Sequence, residues 1–132
     1  MNPNMNLIHI VALLAVIQFF YFGVKVGRAR VQYGIKAPAV SGHEVFERHF
    51  RVQQNSLELL LLFYPGLYLF GSHISPVWAA AIGVVYLIGR QIYAVTYVKD
   101  PSSREAGFII SLLASVVLLL GGLGGAIWQM LR

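Results

Sequence analysis

Arg51, Asn55 and Glu58 stand at i, i+4 and i+7, and Arg48 continues the series outward. On a helix these side chains share one stripe, spanning roughly 10 Å at 1.5 Å per residue. Gln54 flanks the stripe, whereas Gln53 faces nearly the other way. Tyr86, Arg90, Tyr93 and Tyr97, at i, i+4, i+7 and i+11, form a second stripe. Guanidinium groups hold carboxylates in bidentate pairs, and a carboxylate such as Glu58 can hold an amino group. Arg30, Arg51, Arg90 and Arg104 outnumber Glu58, the one acid set deep in apolar sequence. That surplus calls for an anion from outside the chain, and a peptide-like ligand with several carboxylates fits best. The competing reading is a structural network. In it Glu58 neutralises Arg51 or Arg90, Asn55 bridges helices, and the tyrosines anchor an interface.

Other chemistries find little support. The chain has no cysteine, so a thiol nucleophile would have to arrive with a substrate. His9, His43, His49 and His73 show no metal-ligand spacing, so no metal is expected and the histidines read as interfacial. No nucleotide-binding loop, zincin motif or serine triad is present. The formal charge of +5 fits membrane topology and an anionic ligand better than nucleic acid, because the basic residues sit at helix ends.

The elements that must position these groups are membrane helices. Of 132 residues, 58% are apolar and 11% charged, with a mean hydropathy of +0.69. A soluble domain of this size could not hide that much apolar surface. Helices are predicted over about 7–30, 46–70, 77–98 and 103–131, each long enough for a ~30 Å hydrocarbon core. Their short connections predict one all-α domain over 1–132, an integral membrane four-helix bundle of antiparallel, up-down topology. Pro65 predicts a kink in the second helix. Ser102 or Ser103 is expected to cap the fourth, with Glu105 in its first turn. Gly121 to Gly125 ("GGLGG") offers a small-residue surface for close helix packing.

Charge sets the orientation. The leader "MNPNMN" lacks basic residues, and Lys25, Arg28 and Arg30 follow the first apolar run, so that run reads as an anchor and not a signal peptide. Lys36, Arg48, Arg51, Lys99 and Arg104 lie at the same level, whereas the opposite side shows only Arg132. The positive-inside rule then predicts a multi-pass protein with both termini outside and its site toward the cytoplasm, in the inner membrane of a bacterial host. Trp78 and Trp128 would join an aromatic belt at the outer surface.

Taken in order, "VGRAR" (26–30), "APAVSG" (37–42), "FERHFRVQQNSLE" (46–58) and "VVYLIGRQIYAVTY" (84–97), followed by Arg104, resemble the MAPEG family, the membrane-associated proteins of eicosanoid and glutathione metabolism. The resemblance covers nearly the whole chain. It implies a homotrimer with glutathione as co-substrate, bound between subunits. At matching positions it implies that Arg30, Arg51, Gln53, Asn55, Glu58, Tyr93 and Tyr97 hold the tripeptide. Arg104 would face the sulfur as the catalytic residue, and Arg48 and Arg90 would support the site. Gln53, off the main stripe, fits a site shared across a subunit boundary. Val31 stands where some members have a second arginine, and Leu59 and Leu61 stand where others have an aromatic residue and a proline. The implied activity is a glutathione transferase, with or without peroxidase activity. Its partners would be membrane lipids and a lipophilic electrophile or lipid hydroperoxide. The alternative is a non-catalytic lipid-binding member of the family, which would have no need of Arg104 with Tyr93 and Tyr97.

Overall fold

A computed structural model of the chain describes residues 2–132. It contains four long helices: α1 (Met5–Gln32), α2 (Glu44–His73), α3 (Pro76–Lys99) and α4 (Glu105–Leu131). A 3-10 turn, Pro101–Ser103, precedes α4, and there is no strand among the described residues. α1, α3 and the segment Pro101–Leu131 are long and apolar enough to cross a membrane. α2 falls short of that hydropathy because its first half carries the polar stripe and its second half holds Tyr64, Pro65, Gly66 and Tyr68. It nevertheless continues unbroken through Pro65.

Local chemistry explains where the helices stop. α1 ends because Gly34 adopts φ +65°, a left-handed conformation open to glycine without a Cβ penalty. The Ile35 N–H then returns to the Arg30 carbonyl at 2.9 Å, satisfying an orphan helix end. α2 begins at His43, whose Nδ1 accepts from the Val45 N–H at 3.1 Å and whose ring stacks on Tyr33 at 3.6 Å. This histidine is thus a cap, a role outside the interfacial one expected of it. His43→Ala should lower stability by about 1 kcal/mol, as loss of an N-cap does, read as a lower thermal midpoint in detergent. Neither serine of the third connection caps α4. Asp100 Oδ1 accepts from the Ser102 hydroxyl at 2.8 Å and the Ser102 N–H at 3.1 Å, and those hydrogen bonds hold its carboxyl below the usual carboxylate range. The N-cap of α4 is Arg104, without a side-chain cap bond, because the serines are used in the turn: Ser103 Oγ donates to Asp100 O at 2.7 Å.

The core is a column of large and small side chains. Phe63 stacks on Tyr86 at 3.8 Å, with Ile8, Leu67 and Leu118 fully buried around them. Contacts pair Asn55 with Arg90, Phe63 with Tyr86, and the Tyr64 hydroxyl with the Ala12 carbonyl. The outward faces of α1, α3 and α4 carry Leu13, Ile17, Phe20, Ile88, Leu113 and Leu120, all exposed, as lipid-facing surfaces are. Trp78 and Trp128 are exposed as well. In the glycine run, Gly122 lies against the Leu69–Phe70 backbone and Gly125 against His73, whereas Gly124 faces open space.

One close approach matters for the site. A Cβ built on Gly107 would lie 2.3 Å from Tyr93 N and 2.8 Å from Gly89 O. Only glycine lets α4 come this near α3. That contact fixes the start of α4, and with it Arg104, beside Tyr93.

Candidate active site

Arg51, Asn55, Tyr93, Tyr97 and Arg104, with Phe108, line one open cleft of about 530 Å³. α2, α3 and α4 each contribute, and the first five residues are all ones the sequence singles out. Asn55 and Tyr93 form the buried floor, whereas Arg51 and Arg104 are exposed at the mouth. Tyr97 stacks on Tyr93 at 5.4 Å, and Phe108 packs at 6.3 Å from the same ring. Phe108 is the wall residue that sequence reasoning misses, since nothing in the apolar start of α4 distinguishes it.

The floor is held from beneath by Arg90, which is fully buried. Its Nη1 donates to Asn55 Oδ1 at 2.7 Å and to Ser56 Oγ at 3.3 Å, and its Nε donates to Ser111 Oγ at 3.0 Å. Its guanidinium lies 4.4 Å from the centre of the Tyr93 ring. No acid reaches it; neutral oxygens and an aromatic face take its charge, and its Nη2 has no partner among the described residues. Arg90 therefore braces the cleft without lining it.

Glu58 pairs with Arg51 and not with Arg90, at 3.6 Å. The two side chains are 62% and 55% exposed, so Arg51 keeps donors free toward the cleft. Arg48 pairs with Glu44 and donates to the carbonyls of Val98 at 3.1 Å and Lys99 at 3.4 Å. It thereby satisfies the end of α3, where a cation is also favoured by the helix dipole.

Two candidates lie elsewhere. Arg30 donates to the Ala39 carbonyl at 2.8 Å and covers the Phe46 ring at 4.8 Å, fastening the first loop. Gln53 faces α1, its Nε2 reaching toward Gly23. Neither touches the cleft of its own chain. The apparent surplus of arginines is thus smaller than the sequence suggests, since Arg30 and Arg90 find acceptors at home. Arg104 has none: the two ion pairs among the described residues are Arg48–Glu44 and Arg51–Glu58. Two guanidinium groups converging on a half-buried cleft with two phenols can bind a carboxylated ligand and stabilise an anion beside it.

Long apolar helices around a cleft that carries Arg51 and Arg104 define an integral membrane protein with a basic cleft. The chain belongs to the MAPEG family, whose family-level description matches residues 8–124. It is similar to the uncharacterized protein sll1147 of Synechocystis sp., with 41% identity over 121 residues, covering 92% of this chain and 88% of that one. Human microsomal glutathione S-transferase 2 is 38% identical over 125 residues, covering 94% of this chain and 85% of the relative. Leukotriene C4 synthase of Cavia porcellus is 34% identical over 119 residues, covering 90% and 79%.

Proposed function

We propose that the protein is a membrane-bound glutathione transferase that activates glutathione as its thiolate. The thiolate is conjugated to lipophilic electrophiles or used to reduce lipid hydroperoxides. The observation that carries this reading is Arg104, a guanidinium without an acidic partner, at the mouth of a cleft with Arg51, Asn55, Tyr93 and Tyr97. The similarity to microsomal glutathione S-transferase 2 supports the choice of thiol.

In this reading Arg51 takes a carboxylate of the tripeptide, Asn55 and the tyrosines orient its backbone, and Glu58 receives its amino group. A thiol of pKa ~8.5 is mostly protonated at pH 7, and the thiolate is the nucleophile. Arg104 supplies the positive charge beside the sulfur. Lowering the thiol pKa by ~2 units takes roughly 2.7 kcal/mol of preferential thiolate binding, which a charge-assisted hydrogen bond in a partly dry site can supply. In conjugation the sulfur attacks an electrophilic carbon as a bond to the leaving group or ring oxygen breaks. In peroxide reduction two glutathiones become a disulfide while the hydroperoxide becomes an alcohol and water.

The active assembly is a homotrimer of antiparallel, up-down bundles with both termini outside and the cleft toward the cytoplasm. Arg30 and Gln53, on the α1 side of the chain, then complete the cleft of the neighbouring copy. The exposed Arg51–Glu58 pair supports a covered face there, since ionised side chains open to lipid are costly. A non-catalytic lipid carrier would have no use for an unpaired Arg104.

The test is a difference spectrum near 240 nm on mixing glutathione with wild type and Arg104→Ala. Wild type should show a thiolate band. The variant should bind glutathione with little change, lose the band, and turn over about 25-fold more slowly at pH 7, the fall in thiolate fraction when the thiol pKa rises from ~6.5 to ~8.5. Equal losses of binding and turnover would argue against this role, and no binding at all would favour the lipid-binding reading.

A further inference from the structure

A second cavity, also of about 530 Å³, lies between α1, α2 and α3, with Tyr21, Lys25, His49, Gln91, Val95 and Val98 in its walls. It shares no residue with the Arg104 cleft. It opens sideways, because Tyr21 and Val95 are exposed. Two stripes border it: Leu14, Gln18, Tyr21 and Lys25 on α1, and Val84, Ile88, Gln91 and Val95 on α3. Both are otherwise lipid-facing surface. Lys25 is the cation among them and no acidic residue lines the groove. Neither ion pair among the described residues uses Lys25. Its ammonium lies 5.4 Å from the centre of the Tyr21 ring, which leaves its hydrogen bonds open. Gln91 accepts from Gln18 at 3.4 Å, and among the described residues its amide N–H groups have no acceptor.

A cation in a lipid-facing groove either reaches up to water or finds an anion. Reaching for water accounts for a lysine alone. It does not account for a cavity that groups the lysine with a histidine and a free amide above apolar walls. Lys25, His49 and Val98 mark the end of the bundle that also carries Arg104, the level of lipid headgroups. A lysine is a point charge suited to phosphate, and basic pockets between membrane helices at that level hold anionic headgroups. With no carboxylate nearby to receive a choline, a zwitterionic lipid gains less. We propose that the α1–α3 groove is a binding site for an anionic phospholipid. The phosphodiester rests on Lys25 and His49, one acyl chain lies along Val52, Val95 and Val98, and the second stays in the bilayer. The proposal goes beyond the thiol chemistry and depends only on the membrane setting.

Native mass spectrometry in neutral detergent, with phosphatidylglycerol or phosphatidylcholine added, tests it. Wild type should retain phosphatidylglycerol about tenfold more tightly than phosphatidylcholine. Lys25→Met, which keeps the aliphatic stem, should erase that preference, and Lys25→Arg should restore most of it; a tenfold change is ~1.4 kcal/mol, the scale of one charge-assisted hydrogen bond. His49→Leu reads the same site independently and should weaken retention several-fold. Equal retention of the two lipids would overturn the proposal, as would phosphatidylglycerol binding unchanged in both Lys25→Met and His49→Leu. Palmitate displacing phosphatidylglycerol at equal concentration would reassign the groove to a fatty-acid carboxylate. Glutathione turnover on a water-soluble electrophile should stay at the wild-type level in Lys25→Met, separating this site from the cleft.

Discussion

Gly107→Val should destabilise the folded chain by about 4 kcal/mol, near the upper end of what overpacking does. The clash is with Tyr93 N and Cα at 2.3 and 2.6 Å and with Gly89 O at 2.8 Å. These are backbone atoms, so no rotamer change relieves them; α4 must move away from α3. That movement carries Arg104 away from Tyr93, so activity should fall further than the folded fraction does. Thermal unfolding in detergent beside activity per folded molecule separates the two effects. Gly124→Ala is the control, since nothing lies within 4 Å of its added Cβ, and it should be neutral or stabilise by up to ~1 kcal/mol through helix propensity. Equal behaviour of the two variants would refute the idea that the α3–α4 contact positions the site.

Asn55→Leu, close to isosteric, should be almost as damaging, at about 3 kcal/mol. Asn55 Oδ1 is the nearest acceptor of Arg90, at 2.7 Å, and Ser56 at 3.3 Å is a poor substitute. Removing it leaves a fully buried cation short of partners, a change that costs far more than the hydrogen bond itself. Arg90→Met in the same background removes the charge and should recover about half the loss, since a buried ion replaced by an apolar side chain is often neutral. The double-mutant cycle on urea or thermal unfolding gives the coupling directly. Additive losses would mean that Arg90 takes its support from Ser111 and the Tyr93 ring alone. Glutathione binding should fall in both variants, because Asn55 also lines the cleft.

The cleft was legible where helix periodicity alone decides which residues share a face. Arg51 and Asn55 on α2, and Tyr93 and Tyr97 on α3, follow from i, i+4 spacing, and Arg104 follows from its position at the start of α4. Periodicity could not say who satisfies whom. Arg90 looked like surplus charge because its acceptors include Ser56 and Ser111, which carry no charge pattern and lie on two other helices. Arg30 looked like surplus charge for a similar reason: the loop carbonyl it holds, at Ala39, becomes a partner only once the chain has turned at Gly34. The glycine run packs closely as expected, with Gly121, Gly122 and Gly125 against α2, but no pattern marks the pair nearest the site. The run Gly121–Gly125 is conspicuous in sequence, yet the lone Gly89 and Gly107 make the contact that sets the site. Such isolated glycines reveal their purpose only when the opposing backbone is in place.

The half-exposed Arg51–Glu58 pair has a thermodynamic consequence. A face that is costly to leave open to hydrocarbon ties the free energy of the single chain to the binding of whatever covers it. For a partner that is another copy of the same chain, stability then obeys mass action and rises with the amount of protein per area of bilayer. The marginally folded species would be the lone chain in a dilute membrane, and crowding the bilayer with its own kind would act as a stabilising ligand.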